Sequence, residues 1–268
     1  MEFQKYHGTG NDFMMVSFVP SHPESLASSI CDRHFGIGAD GLIFPSESKI
    51  ADIKFNYYNS DGSIAPMCGN GMRCFVEYLL DNNMIKETKF AVETLAGIIQ
   101  VEKNIKTGLI KINLGKPVFS LEEPDVATPI RVFEEYALSM HGEMIKFYTI
   151  NMGTLHTVVY KTSEMNIDKI GPELSKNSFF PKHTNVNFIE VIDSNTQKVT
   201  TFERGAGWTL SCGTGTAASA VVSNQLGLVR DVVRSIVPGG ELNVYVKEDI
   251  YLEGPAVKIA TGEYKIHE

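Results

Sequence analysis

Apolar positions along the chain fall into two rhythms. Short runs of Val, Ile, Phe and Tyr, many of them alternating with polar residues, recur at 53–58, 89–93, 108–113, 145–150, 157–160, 186–192, 199–202, 241–246 and 256–260. Turn residues bound many of these runs, which predicts strands. Four other stretches predict helices, at 23–33, 70–81, 167–176 and 214–226. The first begins at Pro23 behind Ser21 and His22 and stops near Gly36, a consistent start and stop. The third is polar on one side and fits a surface helix. The second and fourth differ, because Met72, Phe75, Val76, Tyr78, Leu79 and Leu80 leave little polar face, and Ala217, Ala218, Ala220, Val221, Val222 and Leu226 behave alike. A helix apolar most of the way round is buried. The pattern predicts a mixed α/β (α+β) chain in which each half wraps strands round one central helix.

The entrances to the two buried helices match. One reads Met67-Cys68-Gly69-Asn70-Gly71 and the other Ser211-Cys212-Gly213-Thr214-Gly215. Both are Cys-Gly-x-Gly, both follow a turn-rich segment, and both open an apolar helix. The repeat is too long for a solenoid; duplication of a whole α/β unit, giving two similar domains that face each other, is the simpler expectation. The divide falls near 115–117, and the strand-like tail from Gly254 on fits either half.

A cysteine at a helix start has unusual chemistry. The first turn carries backbone N–H groups without internal partners and the positive end of the helix dipole. There a thiolate is favoured and the thiol pKa drops below its usual value of about 8.5. Glycines let a ligand approach the backbone closely, and the same N–H groups bind a carboxylate. Two such turns that converge would set two thiols on opposite sides of one carbon, which is what inverting a stereocentre requires. One thiolate takes the α-proton and the opposite thiol returns one to the other face. One sulfur must be charged and the other protonated, so their pKa values must be held apart. An α-proton is far less acidic than a thiol, so orientation must supply much of the rate, roughly 7–11 kcal/mol, with the helix starts stabilising the developing charge.

Bulk properties narrow the alternatives. A chain of 268 residues holds one large domain or two small ones. The net charge of -8 argues against nucleic acid as a partner, since that role calls for a basic surface. The start MEFQKYHGTG lacks the features of a signal peptide, and no apolar run approaches the roughly 20 residues of a membrane helix. A cytoplasmic protein with no membrane partner is the expectation. Four cysteines in this length are no disulfide framework. Cys31 and Cys74 read as packing residues. Cys68 and Cys74 lack the second pair that structural zinc needs, so no metal is expected. Gly213 to Ala218 also matches the G-x-G-x-x-A dinucleotide fingerprint. Against a nucleotide-dependent oxidoreductase, Gly205-Ala206-Gly207-Trp208 does not read as a long buried strand, and Val237-Pro238-Gly239-Gly240 fills the place of the acidic residue. A purely amino-acid-binding protein has no use for thiols on both faces of a carbon.

Several further motifs occur in order along nearly the whole chain. They are Gly8-Thr9-Gly10-Asn11-Asp12-Phe13, Gly36-Ile37-Gly38-Ala39-Asp40-Gly41, Tyr58-Asn59-Ser60-Asp61-Gly62-Ser63 leading into Met67 to Cys74, and Phe202-Glu203-Arg204-Gly205-Ala206-Gly207 leading into Cys212 to Gly215. With these the chain resembles the diaminopimelate epimerase family. The resemblance implies two similar α/β domains, pseudo-two-fold related, each with strands curled round a central helix and an active-site cleft between them. The tail would pair with the first domain, giving domains of 1–115 plus 254–268 and of 116–253. It also implies no pyridoxal phosphate, no other cofactor and no metal, a small amino-acid substrate, and a homodimer. The reaction implied is interconversion of LL- and meso-diaminopimelate.

Carried over residue by residue, Cys68 and Cys212 are the acid/base thiols. Gly69, Asn70, Gly213 and Thr214 hold the α-carboxylate through the helix starts. Asn11, Asn59 and Asn185 hydrogen-bond the substrate, and Glu203 and Arg204 meet its ammonium and carboxylate groups. His156 sits near the thiols and tunes them. Asp61 and Arg73 brace the first turn. Plainer roles compete: a turn for Asn59 in Asn-Ser-Asp-Gly, a surface ion pair for Glu203 and Arg204, a satisfied strand histidine for His156. One departure stands out. The family commonly has Asn-Pro-His where this chain has Thr154-Leu155-His156, and that Asn usually helps bind the distal end of the substrate. Thr154 therefore keeps open a related cofactor-independent racemase acting on another amino acid, of proline, glutamate or histidine type.

Overall fold

The chain opens with two strands, β1 (Glu2–Gly8) and β2 (Asn11–Met15), paired antiparallel from Gln4–Met15 to Gly8–Asn11. Thr9 and Gly10 make the turn with φ of 52° and 90°. A two-residue turn with both φ positive matches the twist of the strands it joins. Helix α1 (Pro23–Ile30) has Pro23 in its first turn, where the missing N–H costs nothing, and Glu24 beside it at the positive end of the dipole. It ends three residues short of the sequence expectation. The Asp32 carboxylate accepts the N–H groups of His34 and Phe35, each at 2.7 Å, and this local turn competes with another round of helix.

The rest of this part of the chain follows as β3 (Gly41–Ser46), β4 (Ile53–Asn59), α2 (Gly69–Asp81), β5 (Lys89–Thr94), β6 (Gly97–Lys103) and β7 (Ile110–Asn113). Strand β2 runs parallel to β3 across α1, β3 antiparallel to β4, β4 parallel to β5 across α2, and β5 antiparallel to β6. Strand β7 pairs antiparallel with β6.

The second part contains β8 (Tyr136–Met140), β9 (Glu143–Asn151), β10 (Leu155–Tyr160), α3 (Ile167–Ser175), β11 (Asn185–Asp193), β12 (Thr196–Glu203), β13 (Gly207–Thr209), α4 (Gly213–Gln225), β14 (Val232–Val237) and β15 (Gly240–Val246). Its pairings repeat the succession found from β1 to β6. Strand β9 is antiparallel to β10, β10 parallel to β11 across α3, β11 antiparallel to β12, β12 parallel to β14 across α4, and β14 antiparallel to β15. The duplication signalled by the two Cys-Gly-x-Gly turns is thus a duplicated topology. Strand β13, ahead of α4, is only 3 residues long and partly exposed, so no long buried strand feeds that glycine-rich turn. After β16 (Ile250–Gly254), strand β17 (Val257–Glu263) pairs antiparallel with β1, from His7–Val257 to Glu2–Glu263.

By its contacts the chain divides into two units, Met1–Asn113 with the segment from Glu253 on, and Leu114–Leu252. The computed structural model describes residues 1–265, so the last three positions of the tail expected at 254–268 lie outside the described residues. No helix among the described residues is long and apolar enough to cross a membrane.

Each unit packs its strands on one central helix. Helix α2 lies against β1, β2, β3, β7 and β17, and α4 against β9, β10, β11, β12, β14 and β15. Met72, Cys74, Phe75, Val76 and Leu79 are fully buried on α2, as are Ala217, Ala218, Ala220, Val221 and Val222 on α4. The apolar reading of α4 missed its hydroxyls, since Thr216, Ser219 and Ser223 are buried too. Thr216 and Ser219 donate back to the carbonyls of Cys212 and Gly215, both at 2.8 Å. Ser223 donates to Gln197 Oε1 at 3.2 Å, and Gln197 Nε2 to Ser235 at 3.0 Å. Buried hydroxyls paired in this way carry little penalty.

Phe75 meets Phe55 edge-to-face with ring centroids 5.2 Å apart and has no exposed surface. Phe75→Ala leaves a cavity between α2 and Phe55 of β4, and is expected to destabilise the protein by about 3–5 kcal/mol. A denaturant titration checks this by a lowered midpoint at unchanged slope.

Candidate active site

In the first unit the residues singled out gather at the start of α2. Cys68 is the N-cap of this helix, with extended backbone angles, and its Sγ accepts the N–H of Gly71 at 3.4 Å. Asn11, on β2, lies beside it. Its Nδ2 donates to Asp40 Oδ2 at 2.5 Å, and a carboxylate only accepts, so its Oδ1 is the end that faces Cys68 Sγ at 3.7 Å and Asn70 Nδ2 at 3.3 Å. Gly69 and Asn70 are buried in the first turn.

Asp40 is held in turn. Its Oδ1 pairs with Arg33 at 2.9 Å, and Arg33 also pairs with Asp12 at 2.8 Å, where Lys5 closes in at 2.8 Å. Burial works to raise the Asp12 pKa, but the hydrogen bonds from Arg33 and Lys5 outweigh it and hold the carboxyl below its ordinary value. Two acids and two bases thus form a charged brace whose free end aims the Asn11 amide at the sulfur. Asp40 was quoted in a motif but given no role by sequence reasoning.

Arg73 does more than the turn-bracing expected of it. It lies one turn into α2 and is fully buried. Its partners are Asn70 Oδ1 at 2.9 Å, Pro255 O at 3.2 Å, Thr9 Oγ1 at 3.3 Å and Gly69 O at 3.5 Å. Among the described residues no carboxylate forms an ion pair with it. Burial pushes its pKa down to about 10, and the sulfurs of Cys74 and Cys68 pull it back up. The guanidinium braces the turn, as expected, and also brings a positive charge to the sulfurs. Asn59 is bonded within its own turn instead. Its Nδ2 donates to Ser63 Oγ at 3.0 Å inside the turn after β4, and Asp61 accepts the Ser63 N–H at 2.8 Å.

In the second unit the expected residues divide between the start of α4 and the ends of β10 and β11. Cys212 is the N-cap of α4, 7% exposed, with Sγ 3.7 Å from Thr214 Oγ1. Thr154, His156, Asn185 and Arg204 form one hydrogen-bonded group. His156 Nε2 lies 3.0 Å from Thr154 Oγ1, Asn185 Nδ2 lies 3.4 Å from the same oxygen, and the Arg204 N–H donates to Asn185 Oδ1 at 2.9 Å. Arg204 itself is exposed and donates to Lys182 O at 2.9 Å. Glu203 accepts from Thr209 Oγ1 at 2.6 Å. Glu203 and Arg204 do not pair with each other in a salt bridge.

Asn187 links the group to the helix start, and sequence reasoning passed over it. It has no exposed surface, and its Nδ2 lies 3.2 Å from His156 Nδ1. A Cβ on Gly215 would come within 2.2 Å of Asn187 Oδ1 and 3.2 Å of Cys212 Sγ, so only glycine allows this approach. The signal was present, because Asn185 and Asn187 alternate along β11 and therefore share a face.

Two solved structures share this fold. A probable proline racemase from Agrobacterium radiobacter K84 matches with a TM-score of 0.71 at 15% identity, over 99% of this chain and 93% of that one. A PhzF-family phenazine biosynthesis protein from Bacillus anthracis matches with a TM-score of 0.71 at 16% identity, over 99% of both chains. At that identity the likeness defines a class by fold, the two similar α/β domains of the proline racemase and PhzF type. The sequence goes further. It matches the diaminopimelate epimerase family over residues 3–120 and 148–266. The diaminopimelate epimerase of Caldanaerobacter subterraneus subsp. tengcongensis is 42% identical over 99% of this chain and 100% of that protein, and that of Alkaliphilus metalliredigens is 39% identical over 98% and 97%. The chain belongs to the diaminopimelate epimerase family.

Burial, aided by the charge of Arg204, pushes the His156 pKa down from 6.5 to about 3. The unfolded chain therefore takes up a proton at this residue below about pH 6.5 that the folded chain refuses until about pH 3. The stability it contributes is whole above pH 6.5 and drains away as the pH falls through this window, by at most ~1.4 kcal/mol per pH unit. Urea midpoints at pH 7 and pH 4.5 are expected to separate for the natural chain and to draw together in His156→Gln.

Proposed function

We propose that the protein is a diaminopimelate epimerase that interconverts the LL and meso forms through Cys68 and Cys212, without a cofactor. The observation that carries this is the paired helix start: α2 and α4 each open on a cysteine N-cap followed by a buried Gly-x-Gly turn, in a chain 39–42% identical over its length to two curated epimerases of that name. The N–H groups of Gly69, Asn70, Gly213 and Thr214 hold the α-carboxylate, whose charge the two helix dipoles favour. One thiolate removes the α-proton. The electron pair left on carbon delocalises into the carboxylate, and the second thiol delivers its proton to the opposite face. The two sulfurs end with their charge states exchanged, which suits the reverse reaction, so a further turnover in the same direction first needs one thiol to lose its proton to solvent and the other to regain one.

Cys68 feels two opposed influences. Arg73 favours a thiolate at Cys68, whereas the Asn11 amide oxygen accepts from its S–H and favours the thiol. Asn11, Asn59, Asn185, Glu203, Arg204 and Thr154 bind the remaining polar groups of the substrate. The reading includes a homodimer in the cytoplasm, supported by family resemblance and by a cysteine pattern unlike a disulfide framework. Its place is in the supply of lysine and cell-wall precursors.

Cys68→Ala and Cys212→Ala should each lower kcat by about 10²–10⁴-fold or more, the range for a positioned acid or base. Incubation with LL-diaminopimelate in D₂O, read by chiral separation and mass spectrometry, should give meso product with one solvent deuterium in the natural chain alone. Near-normal turnover in either variant would refute the roles assigned.

Arg73→Met should raise the pH at which the Cys68 thiolate forms, measured at 240 nm in a Cys212→Ala background. Burial lifts the Cys31 thiol to about 12 and pushes Cys74 up as well, so neither masks the signal near neutral pH. An unshifted titration would show that Arg73 only braces the turn.

A further inference from the structure

The orientation of two buried amides in β11 can be read from backbone partners. Asn187 Nδ2 lies 3.3 Å from the carbonyl oxygen of Thr157, which can only accept, so this end of the amide is the NH₂ group. Its Oδ1 accepts from Thr201 Oγ1 at 3.0 Å. The second hydrogen of that NH₂ faces His156 Nδ1 at 3.2 Å, with Asn185 O farther off at 3.5 Å. An NH₂ group cannot accept, so Nδ1 is unprotonated. A neutral ring then carries its hydrogen on Nε2, and Nε2 donates to Thr154 Oγ1 at 3.0 Å. The ring is kept neutral by burial, its pKa lowered to about 3.

Asn185 adds a second donor to the same oxygen. Its Oδ1 accepts the Arg204 N–H at 2.9 Å, so its other end is NH₂, which donates to Leu155 O at 3.2 Å and to Thr154 Oγ1 at 3.4 Å. A hydroxyl has two lone pairs and one hydrogen. Both lone pairs of Thr154 are engaged from inside the protein, while the residue itself is exposed. Its own O–H is left to point outward as a donor.

We infer that Asn187 is a positioning residue for substrate recognition: by fixing the hydrogen of His156 on Nε2 it makes Thr154 an obligate hydrogen-bond donor, which selects a substrate presenting an acceptor, a carboxylate oxygen, at that point. The inference rests on the epimerase reading and deepens it, naming the group that Thr154 meets on the far end of an amino diacid. A far-end ammonium, which only donates, finds no partner there. The charge of Arg204, felt at His156, has the sign that favours the same anionic group.

Long-range ¹⁵N–¹H NMR of the histidine-labelled natural chain, without substrate, tests the first link. The expected result is a neutral His156 ring protonated at Nε2 and unchanged between about pH 5 and 9. A ring protonated at Nδ1, or at both nitrogens, would overturn the inference, and this readout does not depend on any activity. Asn187→Asp offers Nδ1 an acceptor in place of a donor and should move the hydrogen to Nδ1. In that variant KM for LL-diaminopimelate should rise by about tenfold with a smaller change in kcat, the size of one lost hydrogen bond to a charged group. Thr154→Val should raise KM similarly and Thr154→Ser should restore it, with His156 still protonated at Nε2 in both. An unchanged KM in folded Thr154→Val would show that the hydroxyl does not meet the substrate. Absence of turnover in the natural chain itself would defeat the epimerase reading while leaving the tautomer measurement to decide the relay.

Discussion

A helix that starts inside a protein leaves backbone N–H groups that something must satisfy. Both central helices, α2 and α4, start this way, with Gly69 to Gly71 and Gly213 and Gly215 buried. Much of the surrounding structure follows from that constraint. The strands wrap the helices because a helix apolar on nearly every side needs cover on nearly every side. The N-cap must be small and able to approach the turn, and a cysteine does this while bringing a sulfur to the positive end of the dipole. The turn that satisfies the fold is therefore also the turn suited to an anion, and stability and chemistry draw on the same few atoms.

Around each helix start the protein uses oriented amides where a charged group would be harder to bury. Asn11 is aimed by the acid and base brace of Asp12, Asp40, Lys5 and Arg33, and Asn185 and Asn187 are aimed by backbone groups of neighbouring strands. A neutral amide carries two donors and an acceptor at low desolvation cost, so it can pass direction along a chain of bonds. Ion pairs at the brace are weak evidence for stability. Their evident consequence is positional, since Asp40 takes the NH₂ end of Asn11 and leaves its oxygen toward Cys68. Gly215 shows how closely this is packed, with Asn187 standing where a side chain would otherwise go.

The single buried cation of the first helix start follows the same economy. Arg73 is held by carbonyl and amide oxygens and a hydroxyl, so its charge is solvated by dipoles and left uncancelled by a carboxylate. A charge treated in this way stays available to the sulfurs near it, and Cys74 and Cys68 in turn draw its pKa upward. In the second unit the corresponding position on α4 is Ala217, and the polar company there comes from the strands instead, through His156 and Asn187. The two helix starts share a backbone plan and differ in electrostatics.

Sequence alone determined the elements whose physics is local or periodic. The four helices, the burial of α2 and α4, the duplicated Cys-Gly-x-Gly entrance and the family motifs were all legible, because period, capping and glycine placement act within a few residues. The end of α1 was misjudged by three residues for an equally local reason, the Asp32 turn. The hydroxyl face of α4, the lack of a carboxylate at Arg73, the confinement of Asn59 to its own turn and the linkage of Asn187 to His156 were not legible. Each depends on which atom of one strand or helix comes to rest against another far along the chain, and a hydrogen bond is directional within a few tenths of an ångström. Sequence named the kinds of group that would meet; only the tertiary structure decided which end of each amide, and which nitrogen of His156, would face its neighbour.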